Sequence, residues 1–233
     1  PGQPRRAAII RLGKVVPFMA HAAAQAPVSR EVKELTLLCD ISQTLDSTLD
    51  PRDVLGEVLE LMSRHMGMSR GTITLLNRDT NELIIEAGYG LSESQIERGV
   101  YRLGEGVTGK VAQTGRPMVI PRISQDPMFL NRTGARRQLR KQDIAFICVP
   151  IKKSSEVFGT LSCDRLFSDE ISLDEDVRLL TIIASMVAQA VSLRRSFLEE
   201  RQRLLAENTR LQEELRDRFH PSNIIGNSRA MQN

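Results

Sequence analysis

The sequence predicts an α+β fold, in which helices pack on one face of an antiparallel sheet and a long C-terminal linker helix follows. Three observations support this prediction. Two amphipathic helical patterns come first, two hairpin patterns follow them, and a final helical pattern begins at Leu173 and meets no proline or glycine before Pro221. A chain of 233 residues suits one full domain with accessory segments.

The first two elements are predicted to be helices. Residues 30–48 carry apolar side chains at helical spacing, namely Leu35, Leu38, Ile41 and Leu45. Asp50 then supplies a capping side chain, and Pro51 stands at the first helical position, where its missing N–H costs nothing. Gly67 ends this second helix. Both helices therefore precede the sheet.

The first hairpin and the segment after it follow from strand and turn signals. Gly71–Leu76 and Glu82–Ala87 are two apolar strands joined by a polar turn. A glycine-rich turn, residues 103–110, leads into a short helix closed by Gly115. Residues 117–123 predict an edge strand, because their prolines cannot donate to a central ladder.

The second hairpin joins residues 144–151 to residues 157–164, and alternation assigns its side chains to two faces. The helix-facing side is predicted to carry Ala145, Ile147, Val149, Ile151, Val157, Leu161 and Cys163. The mixed side is predicted to carry Phe146, Cys148, Phe158, Thr160, Ser162 and Asp164. Because Cys148 and Cys163 fall on opposite faces, no disulfide is expected between them.

Composition restricts the class of protein. A net charge of +3 with 4% aromatic residues gives no nucleic-acid footprint. The three cysteines form no C-x-x-C pair, which indicates neither a zinc module nor a disulfide framework and favours a reduced, cytoplasmic protein. No apolar run approaches the ~20 residues of a membrane helix. Residues 1–29 are basic and predict a disordered tail rather than a transit segment.

The last helical pattern divides into two parts. Residues 173–193 are expected to be the final helix of the domain, whereas residues 194–219 are expected to form a coiled coil with a second copy. The seam residues of the predicted linker and homodimer are Val187, Phe197, Leu204, Asn208, Leu211 and Leu215. A polar Asn208 at an a-type position favours a parallel, two-stranded pairing in fixed register.

The candidate ligand site combines the mixed face with a basic loop between residues 124 and 143. Its candidate residues are Arg132, Arg136, Arg137, Phe146, Cys148, Thr160 and Ser162. Guanidinium groups suit carboxylates and phosphates, so a small anion is one expected ligand. Two alternatives stand beside it: a solvated basic loop, and a loop that docks on an acidic protein surface.

No enzymatic activity is expected from this chain. His21, His65 and His220 lie in a tail, at a helix end and in a linker, without a neighbouring nucleophile pattern. We expect neither a metal nor a cofactor. Cys148 is the one residue that a haem or bilin would use, and the alternative is a buried structural cysteine.

Several short motifs, taken in order, resemble a GAF domain, an antiparallel sheet with helices packed on one side. The matching stretches are residues 87–91 (AGYGL), 101–109 (YRLGEGVTG), 120–123 (IPRI), 126–130 (DPMFL), 146–151 (FICVPI) and 159–162 (GTLS). Together they span roughly residues 31–195, so the GAF domain is expected over residues 30–195 and the linker helix over residues 196–219.

The final residues, 220–233 (HPSNIIGNSRAMQN), resemble the start of the AAA+ ATPase domain in activators of sigma-54 RNA polymerase. The combination resembles activators of nitrogen fixation of the NifA type. The resemblance implies a GAF domain that controls the ATPase in response to a small molecule, 2-oxoglutarate in some members, or to a regulatory protein. It also implies a homodimer with its own AAA+ domain as a partner, and no direct contact with nucleic acid or a membrane. The alternative is a docking module of another sigma-54 activator without a small ligand.

Overall fold

The computed structural model describes residues 29–46, 50–124, 126–135, 144–166 and 172–218. In chain order the elements are α1 (Arg30–Leu45), α2 (Pro51–Met66), β1 (Arg70–Asn77), β2 (Glu82–Tyr89), α3 (Glu93–Glu97), β3 (Val100–Arg102), α4 (Gly106–Thr114), β4 (Met118–Ile120), β5 (Ile144–Lys153), β6 (Glu156–Leu166) and α5 (Leu173–Arg218). The predictions for residues 1–28, Arg136, Arg137 and residues 220–233 lie outside the described residues.

The two N-terminal helices begin and end at their local signals. The Asp50 carboxylate accepts a hydrogen bond from the Arg52 N–H at 2.9 Å, and Pro51 opens α2. Gly67 ends α2 in the left-handed region, at a φ of 66°. At the start of α1, the Ser29 side chain accepts from the Val32 N–H. The boundaries of α2 predicted from the sequence are therefore confirmed.

The six strands form one antiparallel sheet in the order β3-β2-β1-β6-β5-β4. The two predicted hairpins, β1–β2 and β5–β6, meet at the centre, where Thr72 on β1 stands opposite Ser162 on β6. The predicted edge strand is confirmed as β4, although it is shorter than residues 117–123. The strand β3 and the helix α3 were not predicted, because three and five residues are too short to give a periodic pattern.

A bulge near the turn of the second hairpin corrects the alternation assigned from the sequence. Ile151 faces Gly159, whereas Lys152 faces Val157, so Phe158 is the extra residue. Phe158 therefore packs in the core on the helix side. A Cβ added to Gly115, at the end of α4 on the opposite face, would lie 3.6 Å from a Val157 methyl group. The predicted faces of Val157 and Phe158 were both wrong, because one inserted residue reverses the parity.

The main core lies between the sheet and the three long helices α1, α2 and α5. Its fully buried members include Leu37, Ile41, Val58, Leu59, Met62, Ile147, Leu161, Ile183 and Val187. On α1 the buried residues are Leu37 and Ile41, whereas Leu35 is 63% exposed. Leu35, which shares the helical spacing of Leu38, Ile41 and Leu45, therefore does not lie on the buried side of α1, because packing selects which side of a broadly apolar helix faces the sheet.

A second, smaller core covers the other face of the sheet. Val107 and Val111 from α4 pack there against Ile120, Phe146 and Cys148. The fold class is confirmed as an antiparallel sheet with helices, and the three long helices lie on one face as predicted. The short helix α4 packs on the opposite face. The candidate site lies between this helix and the sheet.

The last helix, α5, runs without a break for 46 residues. Its first turns belong to the core, whereas the apolar side chains from Leu193 onward are exposed. A window of α5 has a mean hydropathy of 1.5, which by length and composition would allow it to cross a membrane. Because 39% of that window is buried in the chain and a core helix passes the same test, this helix supports a membrane span only weakly.

Candidate functional site

The site is built around the glycine-rich turn that joins β3 to α4. Gly104 and Gly106 have positive φ angles of 81° and 60°, which ordinary side chains rarely adopt. A Cβ on Gly109 would lie 2.1 Å from the carbonyl oxygen of Arg102. Because the backbones of β3 and α4 approach this closely, the first turn of α4 is held directly over the mixed face of the sheet.

The floor of the site comes from the central strands. The Thr72 hydroxyl of β1 and the Ser162 hydroxyl of β6 are hydrogen-bonded at 2.7 Å. Phe146 of β5 lies on the same face, and its ring meets Phe129 edge-on with 5.1 Å between the centroids. The floor thus combines two hydroxyl groups with an aromatic wall.

Residues 126–135 pass over this floor and close it. The Arg98 guanidinium donates to the Thr133 carbonyl at 3.0 Å. The Arg132 guanidinium forms an ion pair with Glu105, the residue that precedes α4. At the start of α4, Gly106 leaves room for Leu130, since a Cβ there would lie 2.8 Å from a Leu130 methyl group. Three contacts therefore fix residues 126–135, the cover of the site, in place.

A small cavity remains between the floor and the cover. It measures about 30 Å³ and is lined by Thr72, Tyr101, Gly106, Val107, Thr108, Met128, Phe129, Leu130, Asn131, Thr133, Phe146 and Ser162. A volume of this size holds about two water molecules. No charged side chain appears among the residues that line it. In this conformation, the cavity is therefore suited to small neutral groups that exchange hydrogen bonds with hydroxyls and an amide.

The candidate ligand residues fall into three groups. Phe146 and Ser162 line the cavity. Cys148 and Thr160 lie on the same strands and are fully buried behind it, with Cys148 in the smaller core. Arg132 does not line the cavity, because its guanidinium is paired with Glu105.

The two cysteines of the second hairpin are buried thiols on opposite faces of the sheet. Burial raises the pKa of Cys148 to about 12, and the nearby Thr160 hydroxyl opposes the rise only in part. Burial also raises the pKa of Cys163, and the carboxylates of Asp164 and Asp176 raise it further. Both thiols are therefore protonated at neutral pH and poor nucleophiles. The register separates them as predicted, since Cys148 faces Ser162 and Cys163 faces Ile147.

Sequence reasoning missed several residues of the cavity, namely Thr72, Tyr101, Thr108, Phe129, Asn131 and Thr133. Thr72 belongs to the first predicted hairpin, and its polarity within an apolar strand was an available signal. Asn131 has a φ of 45°, and its buried side-chain oxygen has no hydrogen-bond partner among the described residues. The strand pairing that brings Thr72 to Ser162 joins residues 90 positions apart, which no local pattern encodes.

A second polar cluster, also missed, connects α1, β6 and α5. Asp176 is 1% exposed and forms ion pairs with Arg165 at 2.8 Å and with Arg30 at 2.9 Å. A cleft of about 390 Å³ opens beside it and is also lined by Lys33, Glu34, Leu37, His65, Met66 and Leu179. Because its guanidinium groups are already paired with carboxylates, the cluster acts as a tether between helices.

The predicted dimer residues lie in two environments. Val187 is fully buried in the core of its own domain, with a relative accessibility of 0%. Its assignment to a dimer seam was therefore wrong, because the sheet covers that side of α5. Phe197, Leu204, Leu211 and Leu215 are each 48–68% exposed, and Asn208 is exposed as well. Among the described residues, no group of three His, Cys, Asp or Glu side chains is placed to hold a metal.

The sheet order, with the glycine-rich turn and α4 over one face, is the architecture from which the class of protein follows. The GAF domain family matches residues 50–191, more than half of the chain, and the chain belongs to this family. The resemblance inferred from the short motifs is confirmed. The GAF domain of the A. aeolicus protein nlh2, in an inactive state, is 31% identical to this chain with a TM-score of 0.65. The alignment covers 71% of this chain and 99% of that domain.

Known regulators of nitrogen fixation are similar over most of the chain. The nitrogen fixation protein VnfA of Azotobacter vinelandii is 43% identical over 84% of this chain and 38% of its own length. The Nif-specific regulatory protein of Herbaspirillum seropedicae is 40% identical over 85% of this chain and 37% of its own length. The chain thus spans about two fifths of the length of these relatives, and its likeness to NifA-type regulators is confirmed.

Proposed function

We propose that the chain is the regulatory sensory domain of a cytoplasmic, sigma-54-dependent activator of nitrogen-fixation genes and controls an AAA+ ATPase domain. Its likeness to Nif-specific regulators supports the process that is controlled. The course of α5 supports the mechanism, because one unbroken helix leads from the core of the domain to an exposed linker. In this proposal the domain is not an enzyme and acts as a homodimer.

In this proposal, α5 transmits a conformational change from the domain to the ATPase. A helix of 46 residues is about 69 Å long at 1.5 Å per residue. Its inner turns place Ile183 and Val187 in the core that Ile147 of β5 shares. Because a packed core deforms little, a shift of β5 would tilt or rotate the whole helix. The far end of α5 is where an ATPase domain would receive that change.

The signal that the domain receives is either a small ligand or a protein partner. A small ligand would act at the mixed face, beneath residues 126–135. The cavity of about 30 Å³ is too small for a dicarboxylate such as 2-oxoglutarate, and its lining is uncharged. A ligand of that kind therefore requires an enlarged site, to which Arg132, Arg136 and Arg137 contribute after Arg132 leaves Glu105.

The small size and uncharged lining of the cavity favour a second candidate, a docking module that binds a regulatory protein or the ATPase domain without a small ligand. Calorimetry of 2-oxoglutarate with the chain discriminates the two. Heat of binding that is lost in Arg132→Ala and kept in Arg178→Ala supports the ligand form, because Arg178 is an exposed arginine of α5 that does not line the cavity. The result supports docking if 2-oxoglutarate gives no heat of binding and if Arg136→Ala/Arg137→Ala no longer binds the regulatory protein or the ATPase domain.

Control of transcription tests the proposal itself. In a full-length activator that contains this domain, we expect Leu204→Glu/Leu211→Glu to uncouple the ATPase rate from the state of the domain. The matched variant Glu213→Gln, on the opposite side of α5, is expected to keep control. If both variants respond to nitrogen status like the wild type, the proposal that α5 carries the output is wrong.

A further inference from the structure

The cover of the cavity is held by two polar contacts of different kinds. The Arg98 guanidinium donates at 3.0 Å to the carbonyl oxygen of Thr133, a residue that is 2% exposed. The second contact is an ion pair between two side chains, Arg132 of the cover and Glu105, which are 43% and 30% exposed. The first contact is therefore part of the buried structure, whereas salt or another anion can reach the second.

The closed position of the cover carries a local cost at Asn131. Its φ of 45° lies in the left-handed region, which costs free energy for any residue except glycine. Its buried Oδ1 has no hydrogen-bond partner among the described residues, which adds a desolvation cost. Both costs would be relieved if the segment moved and Oδ1 reached water. Because Arg132 is the next residue in the chain, its ion pair opposes this movement directly.

Glu105 is fixed on the opposite side of this ion pair. One oxygen of its carboxylate accepts a hydrogen bond from the Arg102 N–H at 3.0 Å, and the other pairs with Arg132. The backbone carbonyl of Glu105 accepts from the Gly109 N–H at 2.9 Å, in the first turn of α4. Glu105 therefore presents a carboxylate from the glycine-rich turn to the cover. Since a guanidinium fork suits carboxylates, an anion that binds Arg132 has to displace Glu105 first.

We propose that the ion pair between Glu105 and Arg132 is an autoinhibitory contact, which keeps the cover closed and limits access to the cavity. This inference rests on the small-ligand form of the proposed function, because it concerns how that ligand would enter. Its test needs neither a ligand nor an ATPase domain, so its failure leaves the regulatory role standing. A domain whose cover obeys this ion pair but which controls no ATPase leaves the inference standing and removes the proposed function.

A thiol placed beneath the cover measures how often the cover opens. Thr72 lines the cavity from β1, so Thr72→Cys in a Cys39→Ser background should react with a soluble alkylating reagent only while the cover is open. Cys163 is the internal control, because it belongs to the main core and its labelling reports unfolding of the whole domain. When closing is faster than labelling, the labelling rate is proportional to the open population. Ser162→Cys, on the facing strand, provides a second reporter position.

Two conservative substitutions remove the ion pair. Glu105→Gln removes the charge but keeps an oxygen for the Arg102 N–H, and Arg132→Gln removes the charge of the cover. Each is expected to raise the labelling rate at position 72 about threefold, the size of effect that an exposed ion pair has on an equilibrium, and to leave Cys163 unchanged. Because both substitutions break the same contact, the double variant should also reach about threefold rather than about ninefold.

Glu156→Gln is the matched control. Glu156 forms exposed ion pairs with Arg78 and Arg195, none of which belongs to the cover, so its substitution should leave the labelling rate at position 72 unchanged. An equal rise in this control, or an equal rise at Cys163, would show a general loss of stability and overturn the inference. A double variant near ninefold would overturn it as well, since the two side chains would then act separately.

Ionic strength gives an independent measurement. Salt screens exposed charges, so raising NaCl from about 20 mM to about 500 mM should increase the labelling rate at position 72 in the reporter chain with Glu105 intact. The same change should have little effect on the Glu105→Gln variant, in which the ion pair is already absent. If the labelling rates of both chains rise by the same factor, or if neither rises, the ion pair does not hold the cover closed.

Discussion

Asp176, in the first turn of α5, forms an ion pair at 2.8 Å with Arg165, near the end of β6, and the two side chains are 1% and 15% exposed. Arg30 of α1 binds the other oxygen of the same carboxylate at 2.9 Å. One buried carboxylate thus links the first helix, the sheet and the output helix. Because Arg165 lies two residues from Cys163 and close to the main core, the geometry of this link depends on how the sheet packs.

Removing Arg165 tests how strongly the link stabilises the fold. Arg165→Met leaves Asp176 buried with a single, half-exposed partner, so we expect the free energy of unfolding to fall by about 3 kcal/mol. Arg178→Met, at an arginine that is 74% exposed, is the control and should change it by less than about 0.5 kcal/mol. Urea unfolding measures both. Equal losses in the two variants would contradict the assigned role.

The same carboxylate makes stability depend on pH. Burial raises the pKa of Asp176 above its ordinary value of 3.8, and attraction to Arg165 and Arg30 offsets only part of the rise. A carboxyl whose pKa is higher in the folded state stabilises the fold while it is protonated, and this contribution is lost as the pH rises through the folded pKa. The stability of the wild type minus that of Asp176→Asn should therefore decrease as the pH rises above the ordinary pKa of 3.8 toward neutrality. A difference that grows with pH over this interval would show that ion pairing, and not burial, dominates.

Gly109 is expected to be intolerant of a side chain. Its Cβ would lie 2.1 Å from the Arg102 carbonyl oxygen, so Gly109→Ala should lower the free energy of unfolding by about 2–3 kcal/mol. Gly56→Ala is the matched control on α2, where nothing lies within 4 Å of the added Cβ. That variant should gain about 0.5–1 kcal/mol from helix propensity. Thermal unfolding of both variants against the wild type gives the comparison.

Substitutions of Phe146 and Phe197 allow the contribution of core packing to be measured separately from that of dimerisation. Phe146 is 5% exposed beneath the cover of the cavity, so Phe146→Ala is expected to cost about 3–5 kcal/mol. Phe197 is 68% exposed, and in a dilute, monomeric sample Phe197→Ala should change stability by less than about 0.5 kcal/mol. At a high protein concentration, Phe197→Ala should weaken dimerisation. Denaturant unfolding at two protein concentrations distinguishes these effects.

The three cysteines are expected to differ in reactivity. Cys148 and Cys163 are buried, and burial raises the pKa of both thiols, whereas Cys39 is exposed on α1. Alkylation of the native chain followed by mass spectrometry should label Cys39 alone, and unfolding in urea should expose the other two. Rapid labelling of Cys148 in the native chain would mean that the cover opens frequently.

Local signals allowed the helix ends and the hairpins to be predicted. The Asp50–Pro51 cap, the left-handed Gly67 and the alternation of β1 all act within a few residues, so they can be read without the fold. The bulge at Phe158 and the buried side of α1 could not be predicted in this way, because each depends on what packs against the element. The resemblance to GAF domains supplied the topology that these signals left open.

The sequence by itself determined the fold class, the family and the spacing of apolar and charged residues along α5. Only the tertiary structure decided which hydroxyls meet, since the Thr72–Ser162 hydrogen bond joins strands 90 residues apart. It also decided that Arg132 pairs with Glu105 outside the cavity and that Asp176 is buried between two arginines. The physical reason is that the strand pairings and the collapse of the core bring distant residues together, and with them they fix burial, hydrogen bonding and charge pairing.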